Sequence, residues 1–304
     1  MNQRGGAESL VSGDLPRPRA GAGEVVVKIH ATAVTPTEFQ WFPTFKMPQG
    51  KERPFPIVLS HEFSGVIESL DAGVISFKAG DAVYGLNDWF VNGAQAEYCI
   101  APATALARKP KTLDHVHAAV VPISALTAWQ GLFKRANLQR HQRVLIHGAA
   151  GGVGVFAVQL ARWRGAYVIA TASSGNLDFV RSLGANEVID YQKIRFENVV
   201  RDVDVVFDGV GGDTLERSWG VLAKGGRLVT IATQSAQAAS QRVRDAFMLV
   251  EANGSQLADI ANLIDAGDLR VFVEDVFPLA RTQEAYARAQ HGKMRGKIVL
   301  RVAG

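Results

Sequence analysis

The plainest chemistry in this chain lies in Gly148-Ala149-Ala150-Gly151-Gly152-Val153-Gly154. Laid on the pattern G-x-G-x-x-G, the run puts Ala149, Gly151 and Gly154 at the glycine positions, so the first is an alanine. Gly151 lacks the Cβ that would hold a pyrophosphate off the backbone, and Gly154 lets the following helix press on the preceding strand. The start of that helix offers N–H groups and partial positive charge to phosphate oxygens. The flanks fit: R-V-L-I-H (143–147) reads as an apolar strand and V-F-A-V-Q-L-A-R as an amphipathic helix. A glycine run alone can be an ordinary turn. Strand, glycines and helix inside a βαβ unit point to a dinucleotide, with Ala150, Gly151, Gly152, Val153 and Gly154 as its contacts.

The end of the next strand selects the form of that dinucleotide. An NAD site usually places Asp or Glu about 20 residues on, against the ribose 2′-hydroxyl. Here stands Thr171-Ala172-Ser173-Ser174-Gly175-Asn176, with no acid before Asp178. A carboxylate would repel a 2′-phosphate, whereas hydroxyls and turn amides donate to one. Ser173, Ser174 and Asn176 also suit a plain turn. The missing acid favours NADPH.

Other chemistry is sparser. The chain has 304 residues and one cysteine, Cys99, which excludes an internal disulfide and a cysteine-rich zinc site. Its net charge of +4 is spread out, without the basic run a nucleic-acid surface needs. The N-terminal residues lack a signal-like apolar stretch, and no segment approaches the roughly 18 apolar residues of a membrane span. These features lead us to expect a cytoplasmic protein that binds neither nucleic acid nor membrane. Glu38 and Glu62 form a possible acid–base pair or, alternatively, buried partners of backbone or arginine.

The elements that must position these residues follow from patterning. Glu24–His30, Ile57–Leu59, Phe63–Leu70, Ala82–Leu86 and Ala96–Ala101 read as short strands separated by turn residues, an antiparallel, barrel-like β domain. Thr112–Ala136 has helical spacing interrupted at Pro122. From Arg143 strands and helices alternate: strands at 143–147, 167–170, 187–189, 204–207, 227–231 and 270–276, helices at 153–165, 177–183, 214–222 and 256–266. That alternation means a parallel sheet covered on both faces. The last strand, 296–302, is expected to return to the first domain. The chain is therefore expected to be α/β, with residues 1–122 completed by 268–304 as one domain and 123–267 as the nucleotide domain.

The motifs H-E-F-S-G-V-I (61–67), F-K-A-G-D-A-V-Y-G (77–85), A-L-T-A-W-Q-G-L (125–132), L-G-A-N-E-V-I-D-Y (183–191), D-V-V-F-D-G-V-G-G (204–212), K-G-G-R-L-V-T-I (224–231) and R-G-K-I-V-L (295–300) complete a pattern. The chain resembles the medium-chain dehydrogenase/reductase superfamily, in particular its zinc-independent quinone oxidoreductase branch. The resemblance implies a GroES-like β-barrel domain followed by a Rossmann, doubly wound parallel-sheet domain, with the active site in the cleft between. It adds Thr127, Ser173, Ser174, Tyr191, Gly209, Val210, Ile231, Ala232, Thr233, Arg295 and Lys297 as cofactor contacts.

Zinc-dependent relatives carry a Cys, a His-Glu pair and a second Cys. This chain has Thr35 and about Ile123 at the cysteine positions, leaving His61-Glu62, which is too few ligands for a catalytic zinc. His61 then reads as a hydrogen-bonded domain residue. Thr35 also replaces an asparagine of many quinone-reducing relatives. The resemblance implies reduction of a quinone or α,β-unsaturated carbonyl by hydride from NADPH without metal. Thr35 and Tyr84 are the candidate donors to the developing oxygen charge. Trp41, Phe45, Asn87 and Trp89, with Phe42 and Phe90, would line the substrate slot; ordinary core packing is the alternative reading. An enoyl-thioester reductase and an NADPH-binding protein with little turnover are the competing functions. A homodimer is expected through an edge strand at Arg270–Val276.

Overall fold

Val25, Val26, Val27 and Ile29 are all buried, and Glu24–Ala33 is accordingly a strand flanked on both sides. It is β1 of a computed structural model that describes residues 1–290, 292 and 294–302, and of Thr233 the backbone only. The strands that follow are β2 (Glu62–Leu70), β3 (Ala82–Leu86), β4 (Tyr98–Pro102), β5 (Leu106–Arg108), β6 (Arg143–His147) and β7 (Tyr167–Ala172). Then come β8 (Glu187–Asp190), β9 (Val203–Asp208), β10 (Leu222–Thr230), β11 (Val273–Pro278) and β12 (Lys297–Arg301). The helices are α1 (Phe42–Phe45), α2 (His115–Ala118), α3 (Pro122–Trp129), α4 (Gly154–Trp163) and α5 (Leu177–Ser182). They continue with α6 (Gly212–Ser218), α7 (Gln241–Ala246), α8 (Gly254–Asp265) and α9 (Thr282–Gln290).

Two units divide the chain. The first comprises Met1–Ile123, Ala252–Gly267 and the residues from Val271 on; the second comprises Ser124–Glu251 and Asp268–Arg270. The first holds a seven-stranded sheet of order β11-β12-β1-β2-β3-β5, with β4 pairing β1. Both β2 and β12 run antiparallel to β1, so the end of β1 and the starts of β2 and β12 meet at one rim. The second unit holds the parallel sheet β10-β9-β6-β7-β8. Its order reverses between β6 and β9, the switch point at which such sheets bind ligands. Leu145, Ile169, Val206 and Leu228 from four of its strands share one core.

Three expectations differ from the structure. Ile57 and Leu59 are buried, but residues 57–59 form no strand: Ile57 N–H donates to the Met1 carbonyl, and Val58 and Leu59 carbonyls accept from Gly93 and Gln95. An apolar run predicts burial, not a ladder partner. Helix α8 groups with the first unit, whereas residues 123–267 were expected together. A Cβ on Gly254 would lie 2.2 Å from the Leu106 carbonyl oxygen, and the Asp265 carboxylate accepts from Lys111 and Thr112. The segment 270–276 is not an edge of the parallel sheet; the strand starts at Val273 and pairs with β12 in the first unit. Arg270 itself is held by the side-chain amide of Gln159.

Candidate functional site

The glycine loop follows β6 and opens α4, as its residue types require. Gly148 has a φ of 73°, the left-handed region that favours glycine. A Cβ on Gly154 would sit 2.1 Å from the Gly148 carbonyl oxygen, so only glycine lets α4 start this close to β6. Gly151 N–H turns back to Gly148 O at 3.1 Å. Among the described residues no hydrogen bond uses the N–H of Gly152 or Val153. Those two groups, at the N-terminus of a ten-residue helix, are the donors a pyrophosphate needs, and the loop fits a dinucleotide. Ala150 lines the same turn and is buried.

Beside it, Asp208 ends β9 without any exposure. Its carboxylate accepts from Val210 N at 3.0 Å, Gly211 N at 3.0 Å and the Thr230 hydroxyl at 2.7 Å, stapling the loops after β9 and β10. Gly209, Val210, Ile231 and Ala232 lie on these loops; the Thr233 side chain lies outside the described residues. Thr127 is buried on α3.

After β7 the turn departs from expectation at one residue. Ser173 and Asn176 bond each other, but Ser174 is engaged: its hydroxyl donates to Asp190 at 2.5 Å and its N–H donates to Gln192 Oε1 at 3.0 Å. Ser174 therefore has no proton left for a phosphate. Tyr191 is exposed on the same rim.

The first unit brings together Thr35, Glu62 and Lys297 at the shared end of β1, β2 and β12. Lys297 Nζ donates to Thr35 Oγ1 at 3.1 Å and forms a buried ion pair with Glu62 Oε1. The other oxygen of Glu62 accepts from Ile123 N at 2.9 Å. Lys297 is buried on these two partners, while Arg295 is exposed and its N–H donates to Glu274. An ammonium has only donors, so Thr35 Oγ1 accepts and its own proton points elsewhere. Among the described residues none takes that proton. Residue spacing could not reveal this lysine, 262 positions from Thr35.

Behind this group lies a second buried network. Glu38 Oε1 accepts from Ser60 N at 2.8 Å and lies 3.6 Å from His61 Nε2. Burial pushes the Glu38 carboxyl up to about 8, only partly opposed by the Ser60 amide and Lys297. His61 Nδ1 bonds Asn87 Oδ1 at 2.8 Å, and burial brings its imidazole down to about 4. Burial thus favours the uncharged form of both groups. Glu38 and Glu62 are thus buried, as one reading of the sequence held, with backbone and lysine rather than arginine as partners.

Three residues assigned to the site, Tyr84, Phe45 and Asn87, are buried and engaged within the first unit. Tyr84 is fully buried, and its hydroxyl donates to the Leu257 carbonyl at 2.6 Å, so it is a structural tie to α8 rather than a proton donor. Phe45 is a core residue packed among Leu10, Val34, Ile57 and Leu59. Asn87 is also buried, its amide shared between His61 and Asn92. Trp41 and Trp89, by contrast, meet edge to face at 5.5 Å, with His61 5.2 Å from Trp89. Phe42 is exposed.

These residues do not fit a zinc ion. Thr35 and Ile123 offer no thiolate, Glu62 is held by Lys297, and His61 is bonded to Asn87. No cluster of three or more His, Cys, Asp or Glu able to hold a metal occurs among the described residues.

Comparison with known proteins agrees with this architecture. A profile described as an alcohol dehydrogenase GroES-like domain matches residues 21–111, and one described as a zinc-binding dehydrogenase matches residues 183–300. A probable zinc-binding oxidoreductase of Arthroderma benhamiae mitochondria is 33% identical, covering 97% of this chain and 93% of its own. A mitochondrial NAD(P)H oxidoreductase of Mus musculus is 31% identical over 92% of this chain and 82% of its own. The structure of a quinone oxidoreductase from Coxiella burnetii superposes with a TM-score of 0.90 at 30% identity, covering 99% of this chain and 97% of that one. The chain belongs to the medium-chain dehydrogenase/reductase superfamily.

Proposed function

We propose that this oxidoreductase transfers hydride from NADPH to a quinone or an α,β-unsaturated carbonyl without a metal ion. The observation that carries the reading is the Thr35–Lys297–Glu62 group. It puts a hydroxyl with a free proton, backed by a buried cation, at a position where zinc-dependent relatives have a ligand. When bound, the dihydronicotinamide supplies the hydride. Gly152 and Val153 hold the pyrophosphate through their N–H groups. Thr35 donates a hydrogen bond to the substrate oxygen as negative charge develops there, and Lys297 strengthens that donor by polarising it. Quinones and enones delocalise the incoming charge and suit such a modest electrophile. Trp41 and Trp89 provide flat apolar walls for a ring or enone.

The end of β7 itself carries no acid that would exclude the 2′-phosphate of NADPH, and the choice between NADPH and NADH falls to the residues facing that turn. The relatives named for quinone and NAD(P)H oxidation–reduction support the reaction class. A cytoplasmic location belongs to the same reading; Cys99 is buried, and burial pushes its thiol up, which makes it an unreactive core residue. No described helix is long and apolar enough to cross a membrane. A homodimer through an open sheet edge, β8, β10 or β11, belongs to this reading, and light scattering tests it.

The test is NADPH oxidation with benzoquinones, 2-alkenals and a 2-enoyl thioester, before and after prolonged chelation. Turnover of quinones or 2-alkenals that survives chelation is expected. Turnover of the thioester alone would make the chain an enoyl-thioester reductase. Binding without turnover would make it a nucleotide-binding protein. Loss of activity with removal of stoichiometric zinc would overturn the metal-free reaction.

A further inference from the structure

Sequence inspection of a ribose-binding turn considers the end of its own strand, and β7 ends without an acid. The neighbouring strand supplies one. Strands β7 and β8 are parallel with Ala172 opposite Asp190, so the register carries Asp190 to the same C-terminal rim as Ser174. There the nearly buried Asp190 carboxylate accepts from the Ser174 hydroxyl at 2.5 Å and from Gln192 N at 3.1 Å. Lys193 Nζ lies 3.6 Å away, on an exposed side chain. The Ser174 hydrogen bond, ahead of the other influences, holds the Asp190 carboxyl below its ordinary range, so it is an anion and only accepts.

The protons of Ser174 are thereby assigned. Its O–H goes to Asp190 and its N–H goes to Gln192, so the exposed Ser174 oxygen has only lone pairs to offer a further partner. A ribose 2′-hydroxyl can donate to those lone pairs. A 2′-phosphate, which offers acceptors, cannot use them, and it meets the Asp190 charge behind them.

We infer that Asp190 is a specificity-determining residue for the cofactor, holding Ser174 as an acceptor for the ribose 2′-hydroxyl so that NADH binds about as well as NADPH. The inference rests on the reading above that the turn after β7 holds the adenosine ribose. It revises the cofactor form, because the absent acid on β7 is offset by the acid on β8. Asp190→Asn removes the charge, and its amide can donate to Ser174, which frees the serine proton for a phosphate.

Calorimetric titration of the intact protein with NADPH and NADH tests this without any substrate. Wild-type dissociation constants should agree within about tenfold. In Asp190→Asn the ratio should move at least tenfold toward NADPH. Ser174→Ala, at an exposed position that tolerates truncation, should weaken NADH severalfold while sparing NADPH. A wild-type preference for NADPH of a hundredfold, or an unchanged ratio in both variants, overturns the inference while leaving the dinucleotide reading intact. If neither dinucleotide binds the wild type, the dinucleotide reading fails and the inference falls with it.

Discussion

Lys297 Nζ lies 3.1 Å from Thr35 Oγ1, and the direction of that hydrogen bond is dictated by chemistry: an ammonium donates, so the threonine accepts. The pair converts an ordinary hydroxyl into one whose proton is available and whose oxygen is polarised by a charge. It arises because β1 ends, and β2 and β12 begin, at one rim of the antiparallel sheet.

Thr35→Val should therefore lower turnover of an active quinone or enone by about a hundredfold, equivalent to roughly 3 kcal/mol, with NADPH affinity little changed. Lys297→Met should lower kcat similarly, and the double variant should be scarcely worse than either, because both remove the same polarised donor. Pairing Lys297→Met with Glu62→Gln controls for a stranded carboxylate. Additive losses in the Thr35–Lys297 double variant, or unchanged kcat in Thr35→Val, would show that the hydroxyl is not the donor.

Tyr84→Phe should cost stability rather than activity. Its hydroxyl is buried and spent on the Leu257 carbonyl, so its loss should lower unfolding free energy by about 1 kcal/mol. Urea denaturation and kcat measured side by side distinguish the roles. A large fall in kcat at unchanged stability would restore Tyr84 as a catalytic candidate.

Glu38 should make stability fall on the alkaline side. Burial raises its folded pKa from the ordinary 4.5 to about 8, so the native state binds a proton that the unfolded chain releases. The stability this contributes is full below about 4.5 and is lost as pH rises through about 8. The histidines His61, His115 and His147, lowered by burial to about 4, 4 and 3, act oppositely, and only below the ordinary histidine range near 6.5. Between about pH 6.5 and 8, wild type should lose up to about 2 kcal/mol relative to Glu38→Gln. Parallel stability curves for the two proteins would contradict this assignment.

Gly154→Ala should damage both folding and nucleotide binding. The new methyl would fall 2.1 Å from the Gly148 carbonyl oxygen, which is backbone and cannot swing aside. Displacing α4 from β6 should cost on the order of 1–3 kcal/mol and weaken dinucleotide binding measurably. Native-like stability with unimpaired titration by NADPH would mean that the loop does not clasp the pyrophosphate.

Local chemistry was legible in the amino-acid sequence wherever neighbours along the chain suffice. The glycine loop needs only β6 before it and α4 after it, and the alternating apolar segments that announce a parallel sheet are periodic within each element. The missing cysteines at Thr35 and Ile123 likewise needed no coordinates. Tertiary structure decided everything that depends on which distant segments share a rim. Residue 297 reaches residue 35 because β12 pairs with β1, and Asp190 reaches Ser174 because β8 lies in register beside β7. The same is true of Tyr84, whose hydroxyl has the right chemistry for catalysis but meets α8 instead of substrate. A side chain's type sets what it can donate or accept. Its partner, and hence which proton remains to be used, follows from strand order and register, which hydrophobic burial over the whole chain selects.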